Sequence, residues 1–398
     1  MKKTLIAAAV MAASGVAFAA SNVTLYGVIE EGVVVSKAKH KDTLVNLKSG
    51  FDSGNRWGLR GVEDLGNGYS VGFILEQGFT ANNGDEGEAG KTFNREAILS
   101  VKGGFGSLAF GRTGGLAFAQ SQAIRTGWVF GTGYGAAGWN AIDWVAKRMN
   151  NTISYASPAF AGFTVHAMYS NGVEADTNKW SDTSHYYGIG VKYNANNILS
   201  SLIFEAADNK GTATDAKTAG DIMTQQEYAL AVAGVAAEDY KAWAKVDANK
   251  EAYKAWAKTE LAAGEAAKKP IYVINYGLEY NLGSWTPMFA YQFAHQNNGR
   301  RTHMFGLSAS AQVAGGKAML GARYVFGKDY AKKVGANEVA VDGDVRAWTI
   351  GAAYEYPLSK RTAVKAYAGY ADSGKEWKEV EDVAYNGYQV YLGLRHAF

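Results

Sequence analysis

Five arginines, Arg56, Arg60, Arg95, Arg112 and Arg148, and two acids, Glu30 and Asp143, carry the one pattern of charge in this chain that suggests a site. A guanidinium stays protonated at every accessible pH and cannot serve as nucleophile or general base. Several of them together can set up a field that draws small anions. Other chemistry is poorly provided for. The six histidines (His40, His166, His185, His295, His303 and His396) show no metal-ligand spacing, cysteine is absent, and no Gly-x-Ser-x-Gly turn occurs. The run Asp85-Glu86-Gly87-Glu88 has the charge for a divalent cation but reads better as a solvated loop. No cofactor is implied.

Elements that could hold such a field follow from composition. The 398 residues include 48 Gly and only 4 Pro, with 24 Tyr, 17 Phe and 10 Trp, which suits many strands joined by tight turns and ringed by aromatics at two interfaces. Length alone leaves open two soluble domains or one large barrel. Lys2 and Lys3 precede an apolar run from Leu5 to Ala20, and Ala17-Phe18-Ala19 offers small residues where a signal peptidase cuts. Residues 1–19 are therefore expected to be a secretory signal and 20–398 the mature chain. The run is too short for a membrane-spanning helix, and no later stretch approaches the ~20 apolar residues that one needs. Removing Lys2 and Lys3 lowers the formal charge from +3 to +1, so no polybasic surface points to nucleic acid.

Sixteen strands are predicted, the first Asn22 to Val35 and the last Asn386 to Phe398, with Ser36 to Ser53 a polar loop and a strand from Phe93 to Lys102. Their alternation is informative. Tyr272, Ile274, Tyr276, Leu278 and Tyr280 share one face, and Val273, Asn275, Gly277 and Glu279 the other. A charge on a lipid face near the midplane costs roughly 2–4 kcal/mol. Lys192, Glu279, Arg323 and Lys365 are thus expected on the inside of a closed antiparallel transmembrane β-barrel. A soluble β-sandwich also alternates, but its outward faces would carry the charge. Glu30 would point inward. Glu31, beside it, would point at lipid unless it lies at a bulge, a rim or a subunit interface.

Two connections break the rhythm. Residues 113–147 hold Trp128, Tyr134, Trp139 and Trp144 among many Gly and Ala, and thirty-odd residues without regular structure usually serve a function. Residues 208–270 contain a segment, 225–269, of helical composition. In it Tyr240-Lys241-Ala242-Trp243 recurs as Tyr253-Lys254-Ala255-Trp256, thirteen residues on. That spacing turns a straight helix about 220° beyond whole turns, so the two aromatic pairs meet only if a helical hairpin bends near Asp247 to Asn249. A competing topology makes Tyr228 to Ala236 part of an extra strand pair and raises the count to eighteen. Whether the insert is a surface excursion, a lid or a partner-binding arm stays open.

Several motifs now combine. The terminal Gly393-Leu394-Arg395-His396-Ala397-Phe398, the opening Val23-Thr24-Leu25-Tyr26-Gly27-Val28, and Arg56-Trp57-Gly58-Leu59-Arg60-Gly61 followed by the turn Glu63-Asp64-Leu65-Gly66-Asn67-Gly68 resemble the general trimeric porins of Gram-negative outer membranes. So do Phe110-Gly111-Arg112 and Asn150-Asn151-Thr152-Ile153-Ser154-Tyr155-Ala156-Ser157-Pro158 on either side of the long connection. The resemblance covers nearly the whole mature chain except the helical insert. It implies a sixteen-stranded barrel in the bacterial outer membrane, surrounded by lipid and lipopolysaccharide, forming a homotrimer and passing small hydrophilic solutes and ions by passive diffusion. It implies that 113–147 folds into the barrel and narrows it, and that 208–270 lies outside the cell. It places Arg56, Arg60, Arg95, Arg112, Arg148, Glu30 and Asp143 at the constriction. Simple parity with Ala97 and Leu99 would turn Arg95 outward, so a bulge is required there. Asp143 is the one acid in the long connection, which leaves the arginines thinly opposed and leads to an expectation of weak anion selectivity. Stacking of solutes on Trp128, Tyr134, Trp139 and Trp144 would instead make the channel substrate-selective. An outer-membrane hydrolase is the alternative from a different class.

Overall fold

Apolar and polar side chains segregate by parity along every strand of the wall, and in the sense opposite to a soluble protein. Leu307, Leu320, Leu392 and Ile189 are 65, 64, 60 and 57 % exposed, whereas Glu205, Thr302, Lys365 and Gln292 are at most 1 % exposed. The computed structural model describes residues 22–39, 41–51, 53–117, 148–172, 184–208, 224–267, 270–296, 301–328, 344–374 and 386–398.

Seventeen strands form one antiparallel sheet that closes on itself. They are β1 (Asn22–Ala38), β2 (Leu44–Ser49), β3 (Arg56–Gly66), β4 (Tyr69–Gly78), β5 (Glu96–Gly103), β6 (Gly106–Thr113), β7 (Met149–Ala156), β8 (Phe163–Gly172), β9 (Tyr186–Ala195), β10 (Ile198–Ala207), β11 (Ile271–Tyr280), β12 (Trp285–Gln296), β13 (Arg301–Val313), β14 (Gly316–Lys328), β15 (Asp344–Pro357), β16 (Thr362–Ser373) and β17 (Gly387–Ala397). The polar loop expected over Ser36 to Ser53 is corrected, since β1 runs on to Ala38 and β2 lies within that range. β2 pairs with β1 over Glu31–Ser36, and β3 pairs with the same edge of β1 over Asn22–Val28. β2 and β3 are thus two halves of one stave, interrupted at Gly50–Asn55, and the barrel has sixteen staves as predicted.

The seam is made by the two ends of the chain. β1 pairs with β17 from Val28↔Ala397 to Ala38↔Gly387. Gly27 and Phe398 add reciprocal backbone hydrogen bonds of 3.0 Å each. Closure leaves no strand edge to be satisfied by lipid, which cannot hydrogen-bond. At the end of the barrel that holds both termini the turns are tight: Asn67-Gly68, Asn196-Asn197 and Ala314-Gly315 all have positive φ at both residues, the two-residue geometry that matches the strand twist. The long connections all leave from the other end, the extracellular side in barrels of this kind.

Lys192, Glu279, Arg323 and Lys365 share the parity of the buried Ser201, Asn275, Thr349 and Glu205 and face the lumen, as expected. Between β10 and β11 the described residues form three α-helices, α1 (Gln225–Ala231), α2 (Tyr240–Trp243) and α3 (Asp247–Ala267), with a 3-10 turn at Ala237–Asp239 before α2. The stretch 228–236 is helix and turn, so the eighteen-strand topology is wrong. The chain bends at 244–246, where Asn249 Nδ2 donates to the Trp243 carbonyl at 3.0 Å. Both aromatic pairs of the repeat reach a third ring: Tyr228 lies 6.2 Å from Trp243, 5.6 Å from Tyr253 and 5.0 Å from Trp256.

Candidate functional site: a wall of paired charges inside the barrel

Arg56 heads β3 just below the break in the second stave. Its Nη1 donates to the Gly54 carbonyl at 2.8 Å, and its Nε lies 3.4 Å from Glu76 Oε2 on β4. Gly58 stands opposite Glu76. A Cβ at Gly58 would come within 2.9 Å of the Tyr26 hydroxyl, which uses the vacant space to donate to Glu76 Oε2 at 3.0 Å.

Arg95 reaches the same carboxylate by a route that strand parity misses. β5 begins at Glu96 and not at Phe93, so Arg95 lies in the bend before it. Asn94 holds that bend by mimicking a strand partner, accepting from Gly78 N at 2.9 Å and donating to Gly78 O at 3.1 Å. The side chain of Arg95 turns inward, and its Nε lies 2.6 Å from Glu76 Oε1. No bulge within the strand is involved.

Glu96 stands directly across from Glu76 in the β4–β5 pair. Two carboxylates side by side repel, and the surrounding guanidinium groups offset this: Arg148 Nη1 lies 3.7 Å from Glu96 Oε1. Arg112 acts as a brace. Its Nε donates to the Asn94 carbonyl at 2.9 Å, Nη1 to Asn150 Oδ1 at 2.6 Å, and Nη2 to Glu88 Oε2 at 2.5 Å. Glu88 also pairs with Lys91. Arg95 and Arg148 line one recess of about 250 Å³ with Asn55, Thr80 and Glu88. Arg60 stands four residues beyond Arg56 on β3, nearer the short-turn end, its guanidinium 5.1 Å from the Tyr26 ring centroid.

Glu30 faces inward as expected but is not an open acid. It is fully buried, and its Oε2 accepts from Ser53 N at 3.1 Å and Lys365 Nζ at 3.2 Å. The lid over it is the stave break. Phe51 stacks on Tyr391 with centroids 4.2 Å apart and leans on Tyr367 at 5.1 Å, forming an apolar cluster with Val34 and Ala353 on the inside of the barrel. Gly50–Asn55 therefore narrows the lumen from the β1–β17 side.

The beginning of the 113–147 connection also lies inside. Leu116 N donates to the Tyr186 hydroxyl at 2.7 Å and Ala117 N to Glu205 Oε1 at 3.1 Å, and Leu116 and Ala117 pack on Met149, Met168, Tyr186 and Ile203. Tyr186 itself donates to Glu205 Oε1 at 2.7 Å. A Cβ at Gly188 would meet the Tyr186 hydroxyl at 2.6 Å and Leu116 Cβ at 3.1 Å, so the wall is thinned where the connection docks. Asp143 and the aromatics Trp128, Tyr134, Trp139 and Trp144 lie outside the described residues.

Of the expected cluster, Arg56, Arg95, Arg112 and Arg148 come together on the β3–β7 sector, Arg60 sits four residues beyond Arg56 toward the short turns, and Glu30 is sealed away. Their counter-charges are Glu76, Glu88 and Glu96, which the sequence pattern does not mark as such. Glu76 could have been found by parity, since it lies on the face opposite Val71, Phe73 and Leu75. Glu88 belongs to the run that reads as solvated loop, and nothing local reveals its partner 24 residues away.

A closed barrel with a greasy exterior and an inner wall of paired charges is an outer-membrane channel. The chain belongs to the Gram-negative porin family, whose model matches residues 6–309 and 224–376. An outer membrane porin protein of Bordetella pertussis is 29 % identical over the full length of both chains. Outer membrane porin protein 32 of Delftia acidovorans is 38 % identical over 51 % of this chain and 59 % of its own. Among solved structures, the anion-selective porin from Comamonas acidovorans superposes with a TM-score of 0.65 at 22 % identity, covering 95 % of this chain and all of that one. OmpT of Vibrio cholerae in its trimer form gives 0.56 at 14 % identity, covering 95 % and 100 %. The protein is an outer-membrane porin, and its relatives and its fold are those of channels rather than enzymes.

Proposed function

We propose that the channel is a general diffusion pore for small hydrophilic solutes with a weak preference for anions, its throat set by Arg56, Arg60, Arg95, Arg112 and Arg148. The observation that carries this is the charge balance of the β3–β7 sector, where those five arginines stand against Glu76, Glu88 and Glu96. One uncompensated charge about 5 Å from an ion in water is worth roughly 0.8 kcal/mol, a three- to fourfold preference before screening. A surplus of two therefore biases the pore without making it exclusive. Asp143 on the long connection is the acid that would trim this surplus, and the anion selectivity of the Comamonas porin points the same way. The reversal potential of the purified protein across a salt gradient tests it: an anion-selective sign is expected, and a cation-selective sign refutes the assignment. Swelling of proteoliposomes in sugars of increasing size should show a cut-off by size alone; saturation by one solute would instead support a selective site on Trp128, Tyr134, Trp139 and Trp144.

The working unit is proposed to be a homotrimer packed along the β1–β17 seam. Glu31 points away from the lumen in a regular stretch of β1, where a single chain would offer it to lipid, and its Oε1 is buried without a hydrogen-bond partner. A second copy packed on the seam would remove this carboxylate from lipid. Cross-linking of membranes should yield trimers, and planar bilayers should show conductance in triple steps.

A further inference from the structure

The lipid-facing surface of β12–β15 carries cations where the barrel leaves the apolar layer. Register places His295, Arg301 and Lys328 side by side on three successive strands, at the end from which the long connections leave. All three lie on the outward parity, and Arg301 and Lys328 are exposed. One step toward the midplane the next outward row is Phe293, His303, Phe326 and, on β15, Arg346, which is also exposed. One step further come Tyr291, Phe305, Tyr324 and Trp348, and after them Leu307, Ala322 and Ile350. This order runs from charge through aromatics to aliphatics, the sequence of layers a strand meets on entering a membrane.

The aromatic row holds Arg301 and His303 in place. Arg301 lies 5.8 Å from the Phe293 ring centroid, Phe326 stacks on His303 at 5.2 Å, and the Tyr291 hydroxyl meets His303 Nδ1 at 2.9 Å. Among the described residues two acids share the outward parity, Asp344 opposite Lys328 and Asp372 across from Trp348 on β16, so with Arg301, Lys328 and Arg346 the patch keeps a net charge of one positive. A guanidinium is a two-pronged donor matched to a phosphate, and an ammonium adds a point charge beside it. We infer that Arg301, Lys328 and Arg346 form a binding site for the phosphate groups of outer-leaflet lipid, with the aromatic row beneath receiving the first part of the acyl chains. The commitment to lipid over free phosphate rests on the aromatic and aliphatic rows directly below, which a soluble anion would not use.

Native mass spectrometry of the full-length protein tests this, with bisphosphorylated lipid A as probe and the same lipid dephosphorylated as comparison. Each cation near an anionic membrane surface is worth roughly a fivefold change in retained lipid. The triple variant R301Q/K328Q/R346Q is expected to lose at least that factor, with its channel conductance unchanged as proof that the barrel has formed. R346Q alone, at a single exposed position, is expected to lose roughly fivefold and serves if the triple variant does not fold. K360Q/R361Q, in a turn at the opposite rim, should retain lipid as the parent does. Equal retention of the dephosphorylated lipid, undiminished retention by R346Q and the triple variant, or displacement by equimolar inorganic phosphate would each overturn the inference.

Discussion

Glu76 Oε1 lies 2.6 Å from Arg95 Nε, and the other oxygen of the same carboxylate faces Arg56 at 3.4 Å. One acid thus screens two of the five arginines that a permeating ion would meet. Replacing Glu76 by Gln keeps the shape and removes the screen. The anion-to-cation permeability ratio of E76Q is expected to rise three- to fourfold, the worth of one charge at about 5 Å in water. A ratio that stays the same or falls would mean that Glu76 does not face the conduction path.

Tyr186 ties the start of the long connection to the wall, accepting from Leu116 N and donating to Glu205. In Y186F both bonds go, and a buried N–H left without an acceptor costs about 1–3 kcal/mol. Single-channel records of Y186F should show more frequent interruptions and a lower closing voltage than the parent. G188V should do the same by crowding Leu116 away from the wall. Quiet records from both would show that the connection is held by other contacts.

Glu30 and Lys365, 335 positions apart in the chain, form a buried ion pair under Phe51. Removing one member of such a pair strands the other's charge, at a cost of about 3–5 kcal/mol, whereas removing both is often neutral. K365M should unfold at a clearly lower temperature by gel mobility, and E30Q/K365M should recover most of the loss. Additive losses in the double variant would show that the two residues act separately.

The barrel was legible because every strand obeys one rule. A membrane demands apolar residues at every second position, and Trp348, Ile350, Ala352 and Tyr354 reveal their face without reference to any other strand. The site was only partly so. Strand parity places Arg56 but fails at Arg95, because the bend at Asn94 depends on Gly78, 16 positions away. It also places Glu30 inside without disclosing that Phe51 covers it, since Phe51 turns inward to stack on Tyr391, which reaches it only through barrel closure. The break at Gly50–Asn55 has no period to betray it.

Tyr228 is the ring on which the insert converges, touching Trp243, Tyr253 and Trp256 from three directions. Each aromatic pair is worth about 0.5–1.5 kcal/mol, so Y228A should loosen the three helices and shift tryptophan emission to the red. Conductance and reversal potential should not change, because the insert's core is built from its own rings. A second lever acts on α1. Backbone and side-chain hydrogen bonds from Thr224 hold the Glu227 carboxyl below the usual carboxylate range. A group whose folded-state pKa is depressed stabilises the structure above its unfolded value and loses that contribution as pH falls through the folded one. The capping box is therefore intact at neutral pH and weakens on acidification below the ordinary carboxylate range. Tryptophan emission of the parent should accordingly drift red as pH is lowered, and in E227Q the drift should be smaller. Identical titrations of the two proteins would show that this cap does not hold the insert together.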